Sequence, residues 1–319
     1  MENKPIPQFQ SSLGFIGIIK ESFKTAIRNQ KLLVPTLLLV FLTSSQLDFA
    51  QKTLLAPVVR DFLLQLGKHP YIVQDFTYST IDHHIYDGAL DGLREILLAK
   101  FVLMAIASII TLVFLIVSVS STYEAYTAKL LGPKDIFLKI KESWKRPIVT
   151  SFYMTLLSLG LAFFYTTSIV VSSILAVNSC AMMILGAMIT LSIPICYYYV
   201  ATLWTVSMIV SVLEDGVGGL KAIWRAAELI KGKRLQASLM MVLFSIAYGL
   251  VLLMATFLRS YSRSMSAPLV IMIPFTNGFY CLLKLFMFVV YTVFYHERRT
   301  SHDEKEWKGV YIPITSGDV

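Results

Sequence analysis

Charge is scarce in this chain. Only 15% of the 319 residues are Asp, Glu, Lys or Arg, while 56% are apolar and the mean hydropathy is +0.67. Soluble domains carry about 25% charged and about 45–50% apolar residues, so the excess here exceeds what one buried core absorbs. That excludes a soluble enzyme and points to a lipid-embedded chain. Cysteine is also sparse: Cys180, Cys196 and Cys281 lie in or beside apolar runs at no disulfide or metal spacing, and we read them as buried, inert thiols. Catalytic motifs are missing too. There is no Gly-x-Ser-x-Gly, no phosphate-binding loop and no Cys pair, and His296-Glu297 lacks the second histidine of a zinc-binding helix because positions 299 and 300 are Arg and Thr. The expectation is a non-enzymatic protein with no catalytic residue, no metal site and no cofactor.

What is abundant is long charge-poor stretches. A bilayer-spanning helix needs about 20 mostly apolar residues, and six such runs occur. They are Leu32–Leu47, about Ile96–Tyr123 (interrupted by Lys100), two within Pro147–Leu213, Leu235–Leu258, and Ser264–Tyr295 (interrupted by Lys284). Pro147–Leu213 contains no Asp, Glu, Lys, Arg or His over 67 positions, enough for a helical hairpin turning near Asn178 and Ser179. The fold class expected is therefore all-α, a polytopic membrane protein with six transmembrane helices and three cytosolic interfacial amphipathic helices. Its parts would be a cytosolic N-terminal segment at 1–31, a membrane domain at 32–295 with a non-cytosolic loop at 48–95, and a cytosolic tail at 296–319.

Net charge is +8, and its distribution decides its meaning. Segments 1–31, 124–146, 214–234 and 296–319 together hold twenty Lys and Arg, whereas 48–95, 173–181 and 259–267 hold six. Positive charge concentrates on the cytosolic side of membrane proteins, so both termini are expected in the cytosol, at an endomembrane or the plasma membrane. The basic balance then reflects topology, and we expect membrane lipids with anionic headgroups as partners, not nucleic acid. Residues 1–31 lack the short apolar core and small-residue site of a cleavable signal, so the first span is expected to act as an uncleaved anchor. Six apolar helices with little internal polarity also suit association into a homo- or hetero-oligomer, of a number no residue specifies.

A repeat precedes the odd-numbered spans. Lys20-Glu21-Ser22-Phe23-Lys24 recurs as Lys141-Glu142-Ser143-Trp144-Lys145 and, more loosely, as Lys221-Ala222-Ile223-Trp224-Arg225. The shared pattern is Lys-x-x-aromatic-base. Phe15, Ile18, Ile19, Ser22, Phe23, Ala26 and Ile27 fall on one helical face, and Leu220, Ile223, Trp224, Ala227 and Ile230 repeat the arrangement. Such helices lie in the interface with rings at the acyl boundary and bases among the headgroups. Lys20, Lys24, Lys141, Lys145, Lys221 and Arg225 are the candidate headgroup contacts.

The third unit, Gly219-Leu220-Lys221-Ala222-Ile223-Trp224-Arg225-Ala226-Ala227-Glu228-Leu229-Ile230-Lys231-Gly232-Lys233, resembles the Gly-x-x-Ala-x-x-x-Ala/Ser-x-x-Leu-x-Lys-Gly segment of a broad group of polytopic proteins. That group includes the membrane domain of some bacterial glycerophosphodiester phosphodiesterases. Thr292-Val293-Phe294-Tyr295-His296-Glu297-Arg298 is similar to the Tyr-acid-Arg exit of the same group, and Val310-Tyr311-Ile312-Pro313-Ile314 with Ser316-Gly317-Asp318 looks like the end of a plant transmembrane branch. The resemblance implies a polytopic helical fold. It carries over no catalytic residue, since phosphodiesterase chemistry in that group belongs to a separate soluble domain.

Four further features are candidates for function. Lys284 lies 12 residues before His296, about 18 Å from the helix end and close to mid-membrane. An ammonium there costs about 2.5–3.5 kcal/mol on insertion scales, so it should face the interior and find partners such as Tyr198 or its neighbours Tyr197 and Tyr199, or an incoming anion. Pro274-Phe275-Thr276-Asn277-Gly278 is expected to break the sixth span above it, and broken spans line cavities in transporters. Lys284, Asn277 and Tyr198 are thus the binding candidates for the alternative reading, a transporter or channel for a small anion or lipid headgroup. In the first loop His83, Asp87 and Asp91 would align on a helix, though a solvated acidic face is the simpler reading of a segment with seven acids and four bases. Tyr311-Ile312-Pro313-Ile314 has the Tyr-x-x-apolar form of a sorting signal, carried by Tyr311 and Ile314.

Overall fold

The computed structural model describes residues 14–68, 82–127, 143–176, 180–265 and 269–310, with positions 138 and 141. Among these there is no strand, and eight helices follow one another. They are α1 (Phe15–Arg28), α2 (Gln30–Lys68), α3 (Asp82–Tyr126), α4 (Lys145–Ala176), α5 (Cys180–Leu213), α6 (Leu220–Ile230), α7 (Arg234–Met265) and α8 (Leu269–Val310). Six contain stretches long and apolar enough to cross a membrane: Gln30–Thr53, Arg94–Tyr126, Lys145–Ile174, Gly186–Leu213, Arg234–Leu258 and Pro274–Ser301. These coincide with the six runs read from the sequence. The expected hairpin is present as α4 and α5, whose connector at 177–179 lies outside the described residues.

The helices outrun their spans. The segment expected as a loop at 48–95 is largely helical, since α2 continues to Lys68 and α3 starts at Asp82. Leu47 is followed by Asp48, but one charge does not stop a helix whose backbone hydrogen bonds continue, and the span extends to Thr53 with Asp48 inside it. At the other end α8 runs past His296 to Val310, so the expected tail begins as helix. The expected break at Pro274–Gly278 is absent. Proline removes its own amide hydrogen bond and crowds the carbonyl four residues back, but Pro274 falls in the second turn of α8, so both effects fall on the first turn and the helix continues through Gly278.

The chain forms two compact units. The first comprises Met1–Val34, Leu115–Gly249 and Leu283–Val319, and the second Pro35–Phe114 and Leu250–Leu282. The core of the first unit draws on Leu115–Ser121 of α3, Val206–Val212 of α5, and Leu285–Tyr295 of α8, with Tyr291, Phe294 and Tyr295 fully buried. Hydroxyls are frequent there: Ser118, Thr122, Thr202, Ser207 and Thr292 are buried. Thr122 Oγ1 donates to the Ser118 carbonyl, Thr202 Oγ1 to Tyr198, Ser207 Oγ to Leu203 and Thr292 Oγ1 to Phe288. A short hydroxyl bonded to the turn below presents a small surface, and small surfaces let helices approach where no hydrophobic effect drives them together. Between α4 and α5, Ser168 and Ser172 share Thr190 at 3.1 and 3.2 Å. A Cβ on Gly186 would come within 2.8 Å of Ser172 Oγ, so glycine permits this approach.

The second unit is sparser. Phe41 packs its ring edge against Gly278, Phe275 and Phe279 meet edge to face at 5.0 Å, and Asn277 Nδ2 donates to Asp48 Oδ2 at 3.0 Å. Many apolar side chains of both units stay exposed, among them Leu38, Leu39, Leu97, Phe101, Leu159, Phe163, Leu252 and Phe257. An apolar exterior on span-length helices is the surface that a hydrocarbon solvent requires. Cys281 is buried as expected, but Cys196 is exposed on α5, which places one thiol on that outer surface.

Candidate functional site

The polar residues of the first unit gather where α4 begins, α5 ends and α8 carries its aromatic run. Pro147–Leu213 bears no charge, so folding it into a hairpin brings its two charged flanks together. Arg146, before the run, donates through Nη1 to the Glu214 carbonyl at 2.8 Å and through Nη2 to Asp215 Oδ1 at 3.0 Å. The Glu214 carboxylate is engaged from two other helices. Tyr295 Oη donates to its Oε1 at 2.8 Å, and Arg225 Nε lies 3.8 Å from its Oε2. Arg299 closes the chain by donating to Tyr295 Oη at 3.2 Å.

A glycine turn carries the backbone from Glu214 into α6. Gly219 has φ +61° and ψ −133°, and an added Cβ would stand 3.2 Å from Val149 Cγ1. Both demands select glycine. Its N–H donates to Thr150 Oγ1 at 2.8 Å, which ties the start of α6 to α4. The far end of α6 is held by Arg298, whose Nε and Nη2 donate to the carbonyls of Leu229 and Lys231 at 2.9 and 2.8 Å. These are the orphan carbonyls of a helix C-terminus, the usual target of a nearby cation. Lys233 and Glu297 pair beside it at 3.4 Å, both mostly buried.

The surface helices bury a narrower strip than periodicity implies. On α1 only Ile18, Ser22 and Thr25 are buried, whereas Phe23 and Ile27 of the apolar side remain exposed, as does Ile16. On α6 the buried set is Ala222, Ala226, Leu229 and Ile230, with Leu220 and Trp224 exposed. The three repeat copies share this arrangement. Phe23, Trp144 and Trp224 are exposed by 60%, 45% and 79%, and Lys20, Lys141 and Lys221 are exposed beside them. Lys24 and Lys145 are exposed as well; Lys24 lies 3.8 Å from Glu21, and Lys145 Nζ sits 5.8 Å from the Trp144 ring centre. Arg225 differs from the lysines. It is half-buried and held by Glu228 at 2.9 Å as well as by Glu214. Burial works against its charge, but the Glu228 hydrogen bond and the two carboxylates outweigh burial and raise its pKa.

Beside α6 lies a shallow, open groove of about 640 Å³, lined by Glu214, Val217, Leu220, Lys221, Trp224 and Arg225. Lys221 makes no ion pair among the described residues.

The three binding candidates divide between the units. Lys284 and Tyr198, both half-buried, belong to the first, and Lys284 has a partner within the protein. Asn277 belongs to the second and is occupied by Asp48. His83, Asp87 and Asp91 do share helix α3, as their spacing predicts, but their side chains lie outside the described ones, and among those described no cluster of His, Cys, Asp and Glu is suited to a metal ion. Tyr311 and Ile314 also lie outside the described residues. Sequence reasoning missed Glu214, Arg146 and Tyr295. The signal was available for the first two, because a hairpin must juxtapose the residues that bracket it.

Fold and surface together define a multi-pass helical membrane protein with six candidate spans. The chain belongs to the family described as Domain of unknown function (DUF8558), whose match covers residues 3–309. No curated protein and no solved structure matches it.

Proposed function

We propose that this is a non-enzymatic, lipid-contacting membrane protein whose three basic-aromatic segments sit at the cytosolic face and engage anionic headgroups, with both termini on that side. The observation that carries the reading is the threefold recurrence of an exposed aromatic ring next to an exposed lysine: Phe23 with Lys20 and Lys24, Trp144 with Lys141 and Lys145, Trp224 with Lys221. Each adjoins the start of a span-length helix or a short helix leading to one. A ring exposed to water gains nothing, whereas at a headgroup boundary ring and ammonium are both solvated by their preferred neighbours. Each lysine near an anionic leaflet contributes about 1 kcal/mol, so five act together while each alone is weak. The transport alternative rested on Lys284 together with a helix break above it, and with α8 unbroken only the Lys284 part of that support remains.

The test is lipid composition around the protein. Membrane patches excised with the full-length protein should be enriched in anionic lipid over the bulk membrane. The variant carrying Lys20→Gln, Lys24→Gln, Lys141→Gln, Lys145→Gln and Lys221→Gln should lose that enrichment. Equal enrichment for both proteins overturns the reading.

A further inference from the structure

We infer that the groove along α6 is a site for one anionic glycerophospholipid, with the phosphodiester on Lys221 and the glycerol and proximal acyl carbons against Trp224, Leu220 and Val217. This rests on the reading that α6 lies at headgroup level and goes beyond it, from a diffuse basic surface to a single stoichiometric site.

Charge selects the headgroup. Of the two cations lining the groove, Arg225 is neutralised by Glu228 and Glu214, and Glu214 is in turn satisfied by Tyr295. Lys221 is left as the uncompensated charge, matching the single negative charge of a phosphodiester. The neighbouring end of α6 adds to it. Its first turn holds no acidic residue and its N-cap, Gly219, supplies no side-chain hydrogen bond, so the positive end of the helix dipole is not offset.

Apolar surface selects a lipid over a free anion. Trp224 and Leu220, one turn apart, are exposed by 79% and 62% in the same groove that holds Lys221. An inorganic phosphate or a soluble phosphomonoester would pair with the lysine and leave both side chains in water. A phospholipid covers them. The volume, about 640 Å³, lies within the range of about 300–1,000 Å³ typical of small-molecule sites. Position agrees with the reading on which this site rests: the lining residues fall in the chain between the end of one candidate span at Leu213 and the start of the next at Arg234.

The experiment is native mass spectrometry of the full-length protein in detergent after incubation with phosphatidylglycerol, compared with phosphatidylcholine. Wild type should retain one phosphatidylglycerol. Lys221→Gln should weaken retention about tenfold, the scale of one charge-assisted hydrogen bond, and Trp224→Ala should weaken it about tenfold through the apolar area it no longer covers. Trp224→Phe should restore most of it, and Lys52→Gln, at an exposed lysine outside the three repeats, should leave it intact. Melting temperatures within the wild-type range show that the variants are folded. Retention unchanged in both Lys221→Gln and Trp224→Ala overturns the site, even if the five-lysine variant still loses bulk enrichment. Displacement of the lipid by millimolar inorganic phosphate, with equal thermal stabilisation by phosphate alone, would also overturn it by making the occupant a free anion. Conversely, loss of the adduct in Lys221→Gln with bulk enrichment unchanged in the five-lysine variant leaves the groove standing and removes only the broader reading.

Discussion

Tyr295 on α8 donates its hydroxyl hydrogen to Glu214 at 2.8 Å, joining the most buried stretch of the first unit to the turn that launches α6. The Glu214 side chain is only 13% exposed, so this bond replaces water that the carboxylate has given up. Arg299 donates to the Tyr295 hydroxyl and Arg225 lies 3.8 Å from the Glu214 carboxylate, so each member of the pair also meets a guanidinium.

Tyr295→Phe removes the donor and keeps the ring. We expect a loss of about 1–3 kcal/mol, the cost of leaving a buried acceptor without its partner. Reversible denaturation in mixed micelles measures it, and combining the change with Glu214→Gln should give a smaller loss than the sum of the two single changes.

Gly219→Ala is expected to destabilise the first unit although it adds one methyl group. Its positive φ and the 3.2 Å approach of Val149 both resist a Cβ, and backbone strain of this kind costs about 1–3 kcal/mol. The comparison is Gly249→Ala in α7, where a Cβ meets nothing within 4 Å and helix propensity favours alanine. Thermal unfolding of the two variants should shift in opposite directions.

Asp48 and Asn277 provide a test within the second unit. Asn277→Leu takes the amide from a carboxylate inside a span and should destabilise the protein. Asp48→Leu/Asn277→Leu should recover the loss. Hydrogen bonds measured in membrane proteins by double-mutant cycles average about 0.6 kcal/mol and reach about 1.7, so the coupling should fall in that range. A coupling near zero would show that Asp48 is solvated independently of Asn277.

Orientation is open to a direct check. Glycosylation acceptors inserted within 69–81 should be modified in the secretory pathway, whereas acceptors inserted within 128–137 should not. The reverse pattern would invert the topology and place the basic-aromatic segments on the wrong face for the proposed headgroup contacts.

Hydrophobic run length and charge placement were enough to determine the all-α class, the six spans, the hairpin at 147–213 and the basic-aromatic repeats. Each follows from local composition, because a bilayer demands about 20 apolar residues per crossing whatever the neighbouring helices do. Helix ends were less legible. A single Asp48 or Pro274 signals interruption locally, yet backbone hydrogen bonding carries α2 and α8 through both. Tertiary packing alone decided which polar groups meet. It set Arg146 beside Glu214 across 68 positions and Tyr295 beside Glu214 across 81, assigned Asn277 to Asp48, and took Arg225 out of the set of free surface cations. Those pairings depend on helix rotation and register, which for α4 and α5 the close approach of Gly186 to Ser172 helps to set. No periodicity along one chain segment contains that information.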